Sequence, residues 1–333
     1  MKTQIFKNSK YFLLMILFSG SVLTMSGQPA EKKISREYSV SEGFTLGIDN
    51  KYGEINIVNW EQDRVTVDIT ITVEARSESK AEELLKQIEI DISESKSEVY
   101  FDTEVEKINA GGKTTINIKY DVKAPAYINA MLEQSYGEVY IQELTGTAEL
   151  EIRYGSLRAT SLVNREQNSW NTLDLKYGNA TIENVSALSA EVMYSELTVN
   201  TSQVLETESA YSKLFFGTVS ELSAECKYDK LNVDLLEGIL EVDGAYTNVS
   251  VVTISQGFSQ VFIDLAYGNF KAGLESQAAF AIEAEVSFGS IRIPDGDYEM
   301  EKEATNQAVR GTIGGKSAAK ILADIKYGNL VLE

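Results

Sequence analysis

The residues best placed to do chemistry form a column of carboxylates. Three residues before each of eleven aromatics stand Asp49, Glu133, Glu151, Asp174, Glu191, Glu208, Glu225, Asp243, Asp264, Glu285 and Asp324. With 50 acids in 333 residues, chance would put about one or two in such a column. Either duplication of a repeat or a functional requirement put them there. Stacked strands bring like positions to about 4.8 Å, where two unit charges repel by about 1 kcal/mol even in water. Such a ladder therefore needs counter-charge.

Part of that charge is in the chain. Lys51, Arg153, Lys176, Lys227 and Lys326 follow their acid by two residues, on the same face of a strand. The other six copies have Ser135, Met193, Ala210, Ala245, Ala266 and Ser287 there. Three of these six are consecutive in sequence, with Asp243, Asp264 and Glu285, and Glu241 and Glu283 lie two residues further back. Oxygen-only donors of this kind suit a hard cation, weakly held Ca2+ above all, or a polycationic partner. They equally make a solvated face that keeps the molecule soluble.

The elements that must position these acids are strands. The eleven aromatics are Tyr52, Tyr136, Tyr154, Tyr177, Tyr194, Tyr211, Tyr228, Tyr246, Tyr267, Phe288 and Tyr327, spaced mostly 17 to 23 residues apart from Tyr136 onward. That period is too short for a helical hairpin and suits one coil of a β-solenoid. Residues two, four and six before each aromatic share its parity and are mostly apolar, as in Phe280-Ile282-Ala284-Val286-Phe288. Period two means strand. After the aromatic, the apolar residues fall three and five later, so the parity flips and the chain must turn. Gly-Asn, Gly-Glu and Gly-Ser pairs, with Ser195, Ser212, Asp229 or Thr247 replacing Gly, fill that gap. Such residues tolerate left-handed backbone at a corner. Parity predicts the aromatics as a core or corner stack; a sugar-binding strip would need them outward. Tyr120, followed by Lys123 where the template wants an apolar residue, is expected in an ordinary strand.

The first segment has a different character. Residues 1–27 carry Lys2, Lys7 and Lys10, an apolar run from Tyr11 to Leu23, then Ser26 and Gly27, the layout of a secretory signal peptide, with an uncleaved anchor as the alternative. The single Cys226 excludes an internal disulfide framework and, by parity, is a small buried residue. There is no His, which removes His-based triads and the commonest general base. Nor does a phosphate-binding loop or dinucleotide fingerprint follow any strand. A net charge of −20 argues against nucleic acid.

Residues 31–125 depart from the repeat after its first copy. Alternation from Val65 to Val73, a capping box at Ser79 to Glu82, the helix-like AEELLKQIEI and further short strands predict a β-rich N-terminal cap with one helix. It would cover the open end of the stack. Residues 126–333 then hold the remaining repeats, with no evident cap after Glu333 and with GTIGGK at 311–316 as a loop or hairpin. Sequons at Asn179, Asn184, Asn200 and Asn248 are expected to be corner residues.

An export signal, a β-rich opening with one helix, and the phrases KYGNATI, AYGNFKA and KYGNLVL, with GTIGGK before the last, together resemble the bacterial β-strand-repeat family of auto-transporter adhesins of head GIN domain type. The resemblance covers most of the mature chain and implies an all-β fold, a single-stranded right-handed β-helix, in a Gram-negative envelope. It supplies no catalytic residues. Ser195, Ser212, Asp229 and Thr247 depart from the family's Gly.

The expected function is a non-enzymatic exported solenoid, a binding surface for a polysaccharide or protein ligand or an envelope structural protein, in the periplasm or at the cell surface. The membrane is met only through the export signal. The alternative is a carbohydrate-active β-helix enzyme, a polysaccharide lyase or hydrolase. That reading wants long loops carrying acids and bases, and repeats of mostly 17 to 21 residues leave little to project.

Overall fold

The computed structural model describes residues 29–105, 114–166 and 168–333; the expected export segment 1–27 lies outside them. The described residues form twenty-five strands and one helix, with every one of these strands joined in one hydrogen-bonded network. It is an all-β protein.

The middle of the molecule follows the sequence rule closely. Strands Asn179–Met193, Glu196–Ala210, Lys213–Lys227 and Lys230–Ala245 each join the second half of one repeat to the first half of the next. They pair in parallel so that like positions meet, as in Leu197 with Leu214 and Leu214 with Leu231. The alternation that the sequence shows becomes an inside and an outside. Leu197, Leu214, Leu231, Val199, Val233 and Leu240 are fully buried, and Cys226 sits among them.

At both ends, spatial order departs from sequence order. Strand Thr45–Lys51 of the first repeat lies between Glu98–Val105 and Asn129–Ser135, parallel to both. Likewise Gly53–Asn59 lies between Thr115–Ala124 and Glu138–Leu144. At the other end, the last repeat is not outermost. Strand Lys320–Lys326 is inserted between Gln260–Ala266 and Phe280–Ser287, parallel to both. The outer edge beyond Phe280–Ser287 is instead covered by an antiparallel hairpin, Asp297–Lys302 with Asn306–Ile313. The uncapped C-terminal end expected from sequence is thus corrected: Glu333 follows an internal rung, and GTIGGK closes the hairpin strand and turns through Gly314 and Gly315, both at positive φ.

The N-terminal layer is antiparallel, Ala30–Ser39 on Arg64–Glu74 on Thr115–Ala124. Its helix runs Glu78–Leu85 and buries Ala81 and Leu84. The cap is Ser77, whose hydroxyl accepts the Lys80 N–H, two residues earlier than the expected box at Ser79. Tyr120 is fully buried within a regular strand, as its missing template position indicated.

Candidate functional site

The parallel register turns the sequence column into a physical one. On parallel strands run Asp102, Asp49, Glu133, Glu151, Asp174, Glu191, Glu208, Glu225, Asp243, Asp264, Asp324 and Glu285, each a register partner of the next, and Asp91 pairs with Asp102 from the antiparallel strand beyond. Asp102 was invisible to the repeat template because no aromatic follows it three residues later. Its only signal was an acid between the inward residues Phe101 and Thr103. Beside it, the Tyr100 ring lies over Gly47, and burial together with the carboxylates of Glu133, Asp49 and Asp102 pushes its phenol up to about 12. Asp49 itself is raised, by burial first and only then by its acidic neighbours, against the lowering effect of Lys51.

Counter-charge is unevenly distributed along the column. In the N-terminal half, Arg153 contacts Glu151 and reaches Asp174 at 3.8 Å, while Lys176 bridges Asp174 at 3.0 Å and Glu191 at 3.1 Å. Those contacts hold the Lys176 ammonium above its usual range, the bond to Asp174 contributing most. Further along, Glu208, Glu225, Asp243, Asp264 and Glu285 have no ion pair among the described residues.

The five residues expected to form a cation site are therefore arranged differently from their sequence order. Asp243 and Asp264 are neighbours, but Asp324 stands between Asp264 and Glu285 and brings Lys326 at 3.9 Å. Glu283 is bound by Arg310 from the C-terminal hairpin. Glu241 accepts a bond from Gln260 at 3.2 Å. Among the described residues, no three metal-ligating side chains converge on one point.

The aromatic column forms the expected corner stack, but outside the core to which parity alone would assign it. All eleven aromatics have φ between 52° and 62°, the left-handed region, whereas the Gly residues that follow them do not. The turn therefore falls on the aromatic itself and swings its ring out of the core. The rings are 40 to 55% exposed. They form a continuous stack with centroids 4.7 to 5.6 Å apart and, beyond Tyr52, interplanar angles of at most 5°. The stack runs Tyr246, Tyr267, Tyr327, Phe288, repeating the inserted order of the strands. A left-handed residue with a Cβ costs about 1–2 kcal/mol, and each aromatic pair returns about 0.5–1.5 kcal/mol beyond area burial. The two roughly offset, which explains an aromatic where Gly or Asn would fit the backbone better. Because each ring covers its neighbour's faces, the stack offers solvent its edges and hydroxyls. Sugar stacking on ring faces is closed along its length.

The residue after the aromatic is buried wherever it is not Gly. Ser195 Oγ accepts the Gly178 N–H at 3.1 Å, Ser212 Oγ the Ser195 N–H at 3.2 Å, Asp229 Oδ1 the Ser212 N–H at 2.6 Å, and Thr247 Oγ1 the Asp229 N–H at 3.3 Å. Asp229 also accepts from Ser209 and from the Lys227 N–H, both at 2.8 Å. Burial nevertheless raises its carboxyl, and it pushes the neighbouring Cys226 thiol up to about 12. One position further on, Asn269 donates to Asn248 at 2.7 Å and Asn329 to Asn269 at 2.8 Å, an exposed amide ladder along the corner. Asn179 and Asn248 are thus corner residues as expected, but Asn184 and Asn200 lie inside strands Asn179–Met193 and Glu196–Ala210.

No protein family model matches this sequence, so the expected family is not established, and no curated protein sequence matches it. Several solved structures resemble it, three of them as follows. One is named "putative adhesin", from Parabacteroides distasonis, at 13% identity and TM-score 0.41, covering 92% of this chain and 98% of that one. A "putative cell adhesion protein" from Clostridium sporogenes gives 12% identity and TM-score 0.23 over 92% and 99% of the two chains. A "putative lipid binding protein" from Parabacteroides distasonis gives 10% identity and TM-score 0.31 over 90% and 96%. At these values they establish neither a family nor a function for this chain.

Proposed function

We propose that this chain is a non-enzymatic, exported, adhesin-like binding or envelope structural protein that holds cationic ligands along its acidic face. The observation that carries this reading is the register of twelve carboxylates, whose C-terminal stretch has little counter-charge of its own. Repulsion between rungs about 4.8 Å apart favours any partner that brings positive charge. Asp243, Asp264, Glu285, Glu241 and Glu283 would hold either calcium or the basic groups of a protein ligand. In this reading the repeats wind as a single-stranded β-helix. Its right-handed sense is what the resemblance to the β-strand-repeat adhesins implies. The β-strand-repeat adhesin resemblance, the segment 1–27 and the lack of any His all agree with an exported, non-catalytic role.

Binding of a basic peptide repeating Lys-Gly-Ser-Gly, measured calorimetrically at low and high salt, tests the reading. Saturable binding that weakens steeply with salt is expected, along with its loss on neutralising Asp243, Asp264 and Glu285 to the amides. No binding at low salt would overturn it. Replacing the peptide by calcium against an ionic-strength-matched sodium control separates coordination from screening. Protease accessibility on intact cells distinguishes a surface adhesin from a periplasmic structural protein.

A further inference from the structure

The insertion of the last repeat creates a surface that no single repeat contains. On the outward face of the strands, Glu241 is followed across the register by Phe262, Leu322, Glu283, Arg310 and Glu299. Two residues along the same strands runs a second row, Asp243, Asp264, Asp324, Glu285, Ala308 and Glu301. Phe262, 41% exposed, and Leu322 are therefore an apolar pair set between carboxylates on both sides and beside carboxylates along both strands.

From Phe262 and Leu322 across to the C-terminal hairpin these rows line one groove of about 610 Å³, with Glu241, Asp243 and Asp264 lying just outside it. Its outward apolar side chains are Phe262, Leu322 and Ala308. Its carboxylates are Glu283, Glu285, Glu299, Glu301 and Asp324, against the single guanidinium of Arg310, which is already engaged by Glu283. Apolar side chains alone would admit any greasy surface, and carboxylates alone any cation. Their juxtaposition asks for both in one ligand.

Resting on the cation-binding reading above, we propose that this groove is a docking site for an extended basic polypeptide segment whose cationic and apolar side chains alternate on one face. The spacing argument is specific. Phe262 to Asp264, and Leu322 to Asp324, are two residues apart on one strand, the same separation as same-face neighbours at i and i+2 in an extended ligand. A ligand strand lying along the groove sets an apolar side chain over Phe262 and Leu322 while its next same-face cation meets Asp324 in the groove, with Asp264 beside it at the groove's edge. The cation can also lie against the Phe262 ring, which favours a positive charge over its face.

The test compares two peptides of equal length and charge on the full chain, one repeating Lys-Gly-Leu-Gly and one repeating Lys-Gly-Ser-Gly. The leucine peptide is expected to bind about tenfold more tightly, the effect of removing several tens of Å² of apolar surface from water. In the double variant Phe262→Ser, Leu322→Ser, the two peptides should bind alike, with an unchanged melting curve, since both positions face outward. Equal affinities in the natural chain, or a preference that survives in the double variant, overturn the groove and leave the cation-binding reading standing. If neither peptide binds, both fall together.

Discussion

The middle of this molecule and its two ends are built from the same phrase yet solve the corner differently. From Ser195 to Thr247 the chain stacks in sequence order, and the residue after the aromatic carries a buried oxygen that accepts the N–H of the preceding rung. Toward the ends that residue is Gly, and the backbones approach so closely that a Cβ at Gly328 would lie 1.6 Å from the Gly268 carbonyl oxygen. It is also at the ends that sequence order breaks, with Thr45–Lys51 and Lys320–Lys326 each slotted between strands from elsewhere. Corners in the middle are held by side chains specific to one neighbour. At the C-terminal Gly corners the side-chain bond comes one residue later and from an exposed amide, Asn269 Oδ1 accepting the Asn329 N–H and Asn329 Oδ1 the Ser290 N–H, both at 3.1 Å. The phrase specifies the register, while the contacts at particular rungs specify who stacks on whom.

The strongest way to break this comparison is in the core that both regions share. Leu231→Asp should prevent folding, because it buries an unpaired charge between rungs, whereas outward Asn232→Asp should fold normally; circular dichroism on expressed protein distinguishes them. Next, Gly328→Ala should cost about 3 kcal/mol or more in denaturant unfolding, because neighbouring backbone rather than a flexible side chain must give way.

In the middle region, Asp229→Ala should cost about 2–3 kcal/mol, since it leaves the Ser212 and Lys227 N–H groups unpaired. The pH dependence has a definite sign. The Asp229 carboxyl is raised in the folded chain, so its favourable contribution is full below the usual carboxylate value and is lost as pH rises through the folded value. Compared with Asp229→Asn, the natural protein should gain stability as pH falls from neutral toward about 4.

A smaller effect sharpens the account of the aromatic stack. Tyr211→Ala loses stacking against both Tyr194 and Tyr228 but keeps the left-handed strain, and should cost about 2 kcal/mol. Tyr211→Gly should cost about 1 kcal/mol less, because Gly relieves that strain. Smallest of all, Lys176→Ala should cost at most about 1 kcal/mol, and less in high salt, because its partners are partly solvated.

These contrasts show what the sequence made legible. Parity placed Leu197, Leu231, Cys226 and the acid column on the correct sides, because in extended backbone a two-residue period is geometry. It failed at the aromatics for the same reason: a φ near 55° is not extended, so counting by twos across Tyr211 no longer tells inside from outside. Asp102 lacked the following aromatic that defined the template. The Glu283–Arg310 pair and the Phe262–Leu322 neighbours depend on spatial order, and eleven near-equivalent phrases carry too little difference to reveal that order in a linear reading.

That order is the claim on which the acid column and the groove both depend, and engineered disulfides measure it directly. In a Cys226→Ala background, Cys at 264 paired with Cys at 324 should oxidise readily, since the two positions are register partners on an exposed face. Cys at 264 paired with Cys at 285 should not, because Lys320–Lys326 separates them by two rung spacings, about 9.6 Å, beyond the Cα separation of about 7 Å that a disulfide spans. Ready oxidation of the 264–285 pair, with none for 264–324, would mean that the repeats stack in simple sequence order and would contradict the account.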